Sequence, residues 1–368
     1  MFKIAFCVLR IDEFRLGVVG VSVCIVVPTY NEAENIADAI LEICKALAGV
    51  SHAVIVVDDN SPDGTADIAR QFGAHVVVRP RRLGVGTAVL DGVREARKLG
   101  CRFVGVTDAD LQHDVSKLRV MHELLSRGVA DLVVGSRYLP GGGVDGGWGF
   151  ARRVISRGAE FYTHLLMPKT RELTDSHGNF FMVRLDVVDL NGIKLRGRPH
   201  EVLPIIIQHL KPGARIAEVP YIFKQRRKGR SKLGVKAVIN YAVSILLASP
   251  LLPILLAGVT GVFVNLGVLA LLLFLHLPMI ASSAIAIEAS IINNYLVADY
   301  FLRRNRVTTR LNGLLRYHGS VVLGVAVQYA TANALYYLAH VYPLIAQFAG
   351  VLLGFFANYY LATTMIWK

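Results

Sequence analysis

The sequence predicts two fold classes in one chain: an α/β domain on a largely parallel sheet, followed by an all-α domain of four transmembrane helices. Three observations predict this. Short apolar runs alternate with segments of helical spacing through the first half, the pattern of a parallel sheet covered on both faces. The composition, 54% hydrophobic with a mean hydropathy of +0.47, is too apolar for a protein with one soluble core. The long uncharged runs behind that excess, each near the roughly 20 residues that cross a bilayer as a helix, all fall after residue 250.

Taken in order, residues 1–20 form an N-terminal extension, read as an extension or anchor strand. Asp12 and Glu13 stand where a signal peptide would need apolar residues. Strands are expected at 21–27, 52–59, 74–78, 102–110 and 131–138, with helices near 31–47, 64–72, 84–99 and 150–166. The glycine-rich 140–149 segment is a candidate flap. This domain runs over 21–234. Residues 235–250 have apolar residues at helical spacing and suit an amphipathic helix at the membrane interface. The transmembrane domain, 251–368, has spans expected at 251–276, 279–302, 318–340 and 344–367.

Charge orients the membrane part. The chain carries +13 formally, of which 251–368 holds +4 and the first 250 residues +9. Basic residues cluster in 303–316 and at Lys368, while the loops near 276–280 and 341–343 carry no formal charge. The positive-inside tendency then puts the α/β domain and both termini in the cytosol of a multi-pass cell-membrane protein. "GVFVN" (261–265) matches "GVAVQ" (324–328), and Asn294–Tyr295 in "NNYL" matches Asn358–Tyr359 in "NYYL", so the four spans read as two parallel two-span repeats. Glu288 is the one acid deep in a span, either functional or bonded to Asn265, Asn293 or Asn294. Cys7, Cys24, Cys44 and Cys101 show no disulfide or zinc spacing, and reduced thiols are expected. The basic charge lacks interleaved aromatics, so nucleic acid is not an expected partner.

Ligands of such sheets bind beyond the carboxyl ends of the strands. Three polar clusters stand there: "PTYNE" (28–32), "DDNSPDGT" (58–65) and "DADLQH" (108–113). In the last, Asp108, Asp110 and Gln112 alternate, so their oxygens can converge on a hard cation, Mg²⁺ or Mn²⁺; an acidic turn has the same spelling. Tyr30 and Glu32 could hold a base or ribose, whereas Asn31 could simply cap a helix. Asp59 has the same double reading.

Together the three clusters, "GSRY" (135–138), "GWGFARRVISRGA" (147–159) and "RRKGRSKLG" (226–234) resemble the family 2 glycosyltransferases of the GT-A (Rossmann-like) fold, and among them the polyprenyl (dolichyl) phosphate mannose synthases. The four-span tail resembles the membrane domain fused to archaeal and some bacterial members. The resemblance implies that Pro28, Tyr30, Glu32, Val57 and Asp59 frame the base and ribose, and that Asp108, Ala109 and Asp110 follow the ribose and diphosphate. It implies metal ligation by Asp110 with Gln112, Asp108 being the third member of the hand. Arg137, Arg226 and Lys232 become the cations around the diphosphates.

A lipid phosphate is already anionic, so attack on the sugar needs no general base; the site must bring two anions together and stabilise the leaving diphosphate. Arg137, Arg152, Arg153, Ser156 and Arg226 near Asp110 suit that task, with Asp175 matching on the acceptor side. The expected reaction is transfer of mannose from GDP-mannose to dolichyl or polyprenyl phosphate with inversion, on the cytosolic face. The alternatives are UDP-glucose or another UDP-hexose as donor and, further off, a non-catalytic lipid-sugar flippase or scaffold. Two stretches depart from the family: "LTDSHGNFF" (173–181), with His177-Gly178-Asn179 where Ser-Gly is expected, and Pro204-Ile205 where a Met-Glu pair is common.

Overall fold

The computed structural model describes residues 22–146, 149–193, 202–225, 235–249, 251–302 and 310–361. The chain divides into two compact units, Met1–Ser249 and Pro250–Lys368.

The first unit is built on strands β1 (Val23–Thr29), β2 (His52–Asp58), β3 (His75–Val78), β4 (Phe103–Val106), β5 (Leu132–Ser136), β6 (Gly143–Val144), β7 (Phe181–Arg184), β8 (Ile216–Pro220) and β9 (Ile222–Phe223). Seven of them form one sheet in the order β3-β2-β1-β4-β7-β5-β8, and β6 pairs with β9. Every residue of β1 and β2 is buried, which is why these strands read as continuous apolar runs rather than alternating ones. The chain leaves β1 toward β2 and β3 on one side and returns with β4 on the other, so the carboxyl ends of β1 and β4 flank a switch-point crevice.

Helices α1 (Ile36–Ala46), α2 (Thr65–Gln71), α3 (Val85–Lys98), α4 (Lys117–Ser126), α5 (Phe150–Leu166), α6 (Leu203–Gln208) and α7 (Val235–Ala248) complete the unit. Helix α1 buries Ile36, Ala39, Ile40, Ile43 and Cys44, one stripe at helical spacing. It starts later than the sequence suggests, because the 31–33 backbone N–H groups bond side chains of the neighbouring loop instead. Asn31 has φ 57 and does not cap the helix. Pro204 and Ile205 lie buried in α6.

Strand β7 was not visible in the sequence, and it matters most for the site. It runs antiparallel between β4 and β5. An antiparallel strand begins where its neighbours end, so the segment before it, residues 173–180, lies at the carboxyl edge of the sheet. Cys24 and Cys101 form a disulfide, with Cα atoms 6.0 Å apart, which corrects the expectation of reduced thiols. Their 77-residue separation hides the contact, which arises because β1 and β4 are neighbours. Cys44 is buried.

Helix α7 packs on α5 through Tyr241 and Ile245, both buried, and the Tyr162 hydroxyl donates to Ala242 O at 2.9 Å. Its other face leaves Ile239, Val243 and Leu247 exposed in one stripe.

The second unit contains α8 (Leu251–Phe274), α9 (Met279–Leu302), α10 (Arg310–Tyr337) and α11 (Pro343–Leu361). They pack chiefly as two hairpins, α8 with α9 and α10 with α11. Among the described residues, Leu255–Phe274 and Met279–Tyr300 are long and apolar enough to cross a membrane. A buried polar chain crosses the unit: Gln347 Nε2 donates to Asn265 Oδ1 at 2.8 Å, and Ser283 Oγ to Gln347 Oε1 at 2.9 Å. Glu288 bonds none of the three asparagines singled out in the sequence; it pairs with His318 of α10 at 2.9 Å. Asn265 and Asn293 are held instead by Ala286 O, Gln347 and Thr260.

Glycine 92 sets how closely α3 approaches the sheet, because a Cβ there would meet Val26 and Val57 side chains. Gly92→Ala is expected to lower stability by about 1–3 kcal/mol, read as a fall in the thermal unfolding midpoint of the purified chain. An unchanged midpoint would show that the helix is not seated on β1 as described.

Candidate functional site

The first two clusters brace each other. Asn31 N–H donates to Ser61 Oγ (2.9 Å), Glu32 N–H to Thr65 Oγ1 (3.0 Å) and Ala33 N–H to Asp63 Oδ2 (3.1 Å). Asp58 receives Thr29 Oγ1 at 2.8 Å, Ser61 Oγ at 2.6 Å and Ser61 N–H at 2.7 Å. The polar residues of "DDNSPDGT" therefore work first as supports for "PTYNE". Pro28 and Val57 are buried strand residues, so what they can offer a nucleotide is shape and backbone. Tyr30 is partly exposed, with the Arg82 guanidinium 4.2 Å from its ring centroid. Glu32 accepts Asn35 Nδ2 at 2.8 Å. Asp59 is buried, ion-paired with Arg79, and accepts Gly84 N–H at 2.8 Å.

The third cluster turns sharply after β4. Leu111 has φ 58, a conformation costly for a bulky residue. It allows Gln112 N–H to reach Asp110 Oδ1 at 3.1 Å. Asp108 is half-exposed, Ala109 and Asp110 are buried, and Gln112 is pinned by Lys224: its Nε2 donates to Lys224 O (3.1 Å) and its own O accepts Lys224 N–H (2.8 Å). His113 lies beneath the turn and accepts Asp108 N–H at Nδ1 (3.3 Å), stacked on Phe180 with ring centroids 5.0 Å apart. Burial pushes its pKa down to about 4, so the ring is neutral at physiological pH and can act as that acceptor.

At the end of β5, Asp175 takes three hydrogen bonds from Arg137: N–H at 3.0 Å, Nε at 2.7 Å and Nη2 at 2.7 Å. Asp175 is fully buried, and its carboxylate is occupied in orienting Arg137. Burial pushes the Asp175 carboxyl up, but the Arg137 hydrogen bonds and charge outweigh it and hold the pKa below the usual carboxylate range. Glu218 of β8 supports the loop, accepting Thr174 N–H at 3.0 Å and Asp175 N–H at 3.2 Å; burial raises its pKa in spite of those bonds.

Arg137 also walls a cavity of about 740 Å³ with Tyr138, Gly143, Gly146, Arg153 and Arg157. Its guanidinium lies 5.7 Å from the Phe223 ring, and that ring contacts His113 at 5.8 Å, so the cavity adjoins the "DADLQH" turn. Ser156 shares a 2.7 Å hydrogen bond with the Tyr138 hydroxyl, and Arg157 covers the Tyr138 ring at 4.1 Å. Arg152, one residue before Arg153, is partly buried and does not line the cavity. Arg226 and Lys232 lie outside the described residues.

Two groups come into question for a metal. Asp108, Asp110 and Gln112 offer oxygen donors at the carboxyl edge of the sheet, a set that fits Mg²⁺ or Mn²⁺. Glu160, Asp175 and His177 place one ligand atom each within 4.8 Å of one another. Their atoms are already engaged: Asp175 by Arg137, and Glu160 by Ser176 N–H, His177 and His164. The first set offers the oxygen donors that a hard cation takes; the second reads as an internal polar network.

Sequence reasoning missed Arg157, Arg82, Arg79, His113 and Glu160. Arg157 was legible as the i+4 partner of Arg153 in "ARRVISRG"; the others depend on tertiary packing.

Family models match both parts of the chain. Residues 24–190 match the "Glycosyl transferase family 2" model, and residues 254–367 match the "GtrA/DPMS, transmembrane domain" model. The chain belongs to the family 2 glycosyltransferases, in the branch of polyprenyl phosphate mannose synthases with a fused membrane domain. It is 32% identical over 360 residues to a dolichol-phosphate mannosyltransferase of Pyrococcus furiosus, covering 94% of this chain and 99% of that one. It is 31% identical over 216 residues to a polyprenol monophosphomannose synthase of Mycolicibacterium smegmatis, covering 57% and 80%. Among solved structures, glucosyl-3-phosphoglycerate synthase of Mycobacterium tuberculosis aligns at 18% identity with a TM-score of 0.48, over 66% of this chain and 84% of that one.

Asp175→Asn is expected to destabilise the first unit by about 2–3 kcal/mol, because it removes the partner of a largely buried guanidinium. Since Asp175 titrates below the ordinary carboxylate value of about 3.9, the wild-type advantage is complete above that pH. It shrinks as acid protonates the folded carboxylate. Unfolding of wild type and variant between neutral and strongly acid pH measures it; a difference that grows in acid would contradict the pairing.

Proposed function

We propose that the chain transfers mannose from GDP-mannose to dolichyl or another polyprenyl phosphate on the cytosolic face of the cell membrane, inverting the anomeric centre. The observation that carries this reading is the juxtaposition of the Arg137, Arg153 and Arg157 cavity with the oxygen-donor turn at Asp108–Gln112, in a chain whose relative along nearly its whole length is a dolichol-phosphate mannosyltransferase.

In this reading Tyr30, Glu32 and Asp59, with the Pro28 and Val57 backbone, frame the nucleotide, and Asp108 and Ala109 follow the ribose and diphosphate. Asp108, Asp110 and Gln112 would hold Mg²⁺ or Mn²⁺, which would neutralise charge on the departing diphosphate. Arg137 donates hydrogen bonds toward the phosphates from a direction fixed by Asp175. Arg153 and Arg157, with Arg152 and Ser156 on the same helix, receive the lipid phosphate. Arg226 and Lys232 add cations from the segment that leads to α7.

The acceptor phosphate carries its own negative charge, so no side chain has to remove a proton. The chain's contribution is to overcome the repulsion between two anions and to align attacker and anomeric carbon. The exposed Ile239, Val243 and Leu247 stripe of α7 suits a helix lying in the membrane interface. The helices α8 to α11 serve as four spans in two parallel repeats, with both termini cytosolic.

Membranes containing the chain, given polyprenyl phosphate and either radiolabelled GDP-mannose or UDP-glucose, are expected to form labelled lipid from GDP-mannose. Label from UDP-glucose alone would replace mannose by glucose, and label from neither would favour a flippase or scaffold. Asp110→Ala is expected to cut transfer by about a hundredfold or more while the chain still inserts; full activity in that variant would remove the metal hand from the mechanism.

A further inference from the structure

The departure at 175–179 was left unexplained by the family resemblance, and the structure gives it a partner. His177 is buried and bonds Nδ1 to the carboxylate of Glu160, itself buried in α5. Glu160 also accepts Ser176 N–H at 3.0 Å and meets His164 Nε2 at 2.8 Å. On its far side the His177 ring lies 5.1 Å from the Tyr241 ring of α7, and Tyr241 hydrogen-bonds Thr163. One side-chain pair thus ties three elements together: α5, α7 and the 174–179 loop.

The position of the pair gives it a function. Glu160 follows Ser156 by one helical turn and Arg153 by two, on the helix whose arginines wall the cavity. Ser176 and His177 directly follow Asp175, which fixes Arg137, another residue lining the same cavity. The distance between the Arg137 guanidinium and the α5 arginines is therefore set through the Asp175, Ser176 and Glu160 chain of bonds, in parallel with the Tyr138–Ser156 bond. A fixed donor, Arg137, held at a set spacing from the cationic arginines of α5 selects an anion that reaches both. The base and ribose side, braced separately by Asp58, Ser61, Asp63 and Thr65, is not in this chain of bonds, and the diphosphate shares only Arg137 with it.

We propose that Glu160 and His177 are a positioning pair for the acceptor: by locking the 174–179 loop to α5 they set the gap between Arg137 and Arg153/Arg157, and so the affinity for an isoprenyl phosphate. The proposal rests on the acceptor reading given above and assigns no part of the bond-making chemistry to either residue.

The test uses the full chain in detergent, with farnesyl phosphate and GDP as separate calorimetric titrants. His177→Phe and Glu160→Gln are expected to weaken farnesyl phosphate at least tenfold and GDP, whose diphosphate shares only Arg137 with the acceptor, by less than threefold. His177→Gln, which keeps an N–H for Glu160, is expected to stay within about threefold of wild type. In turnover the two disruptive variants raise KM for polyprenyl phosphate more than they lower kcat. Equal losses for both titrants, or no loss for farnesyl phosphate, would overturn the proposal. Wild type that binds farnesyl phosphate with this variant pattern yet transfers no mannose would leave the positioning role standing and refute the sugar assignment. Wild type that binds no farnesyl phosphate would refute both.

Discussion

The arrangement of the site depends on one buried ion pair, Arg137 with Asp175. A guanidinium at the mouth of a cavity can be turned by solvent or ligand unless its donors are fixed, and Asp175 fixes two side-chain donors and the backbone N–H of the same residue. Such a pair is close to neutral as a unit, so its value to anionic ligands is direction. The net positive field comes from Arg153 and Arg157 across the cavity. Burying Asp175 is tolerable only because its loop is itself held by Glu218 from β8 and, through Ser176, by Glu160 from α5. Removing Arg137 would leave the Asp175 charge in a place that water does not reach.

The parallel half of the sheet was readable from the sequence because it obeys a local rule. Buried strands give apolar runs, and the polar clusters "PTYNE", "DDNSPDGT" and "DADLQH" punctuate them at the ends where ligands bind. Hydropathy likewise located the change to membrane helices near residue 250, which is where the two units divide. What stayed hidden depends on contacts between distant segments. Strand β7 is four residues long, and nothing local says that it inserts between β4 and β5 in the opposite direction. Without β7, Asp175 has no reason to face Arg137. His113 was quoted with its motif but given no role, because its task, holding the Asp108 backbone from below, needs Phe180 as a floor. Asp59 looked like a ligand residue in the sequence; folding gives it Arg79 as well.

The membrane unit follows a different logic. Close approach within its hairpins is made by small residues: a Cβ on Gly354 would come 2.6 Å from Gly324 O, and one on Gly350 2.6 Å from Gln328 O. Polar side chains there satisfy one another, as Asn265, Gln347 and Ser283 do, which avoids unpaired groups in an apolar setting. Glu288 belongs to this logic through His318, a partner 30 residues away that helix periodicity could not reveal.

The central claim is that the chain aligns two anions for a single direct displacement and supplies no nucleophile of its own. The anomeric configuration of the lipid product, determined by NMR after transfer from an α-linked sugar nucleotide, tests it most directly. A β-linked sugar phosphate is the predicted outcome. An α-linked product would require a covalent sugar intermediate or a front-face route, and would contradict the account.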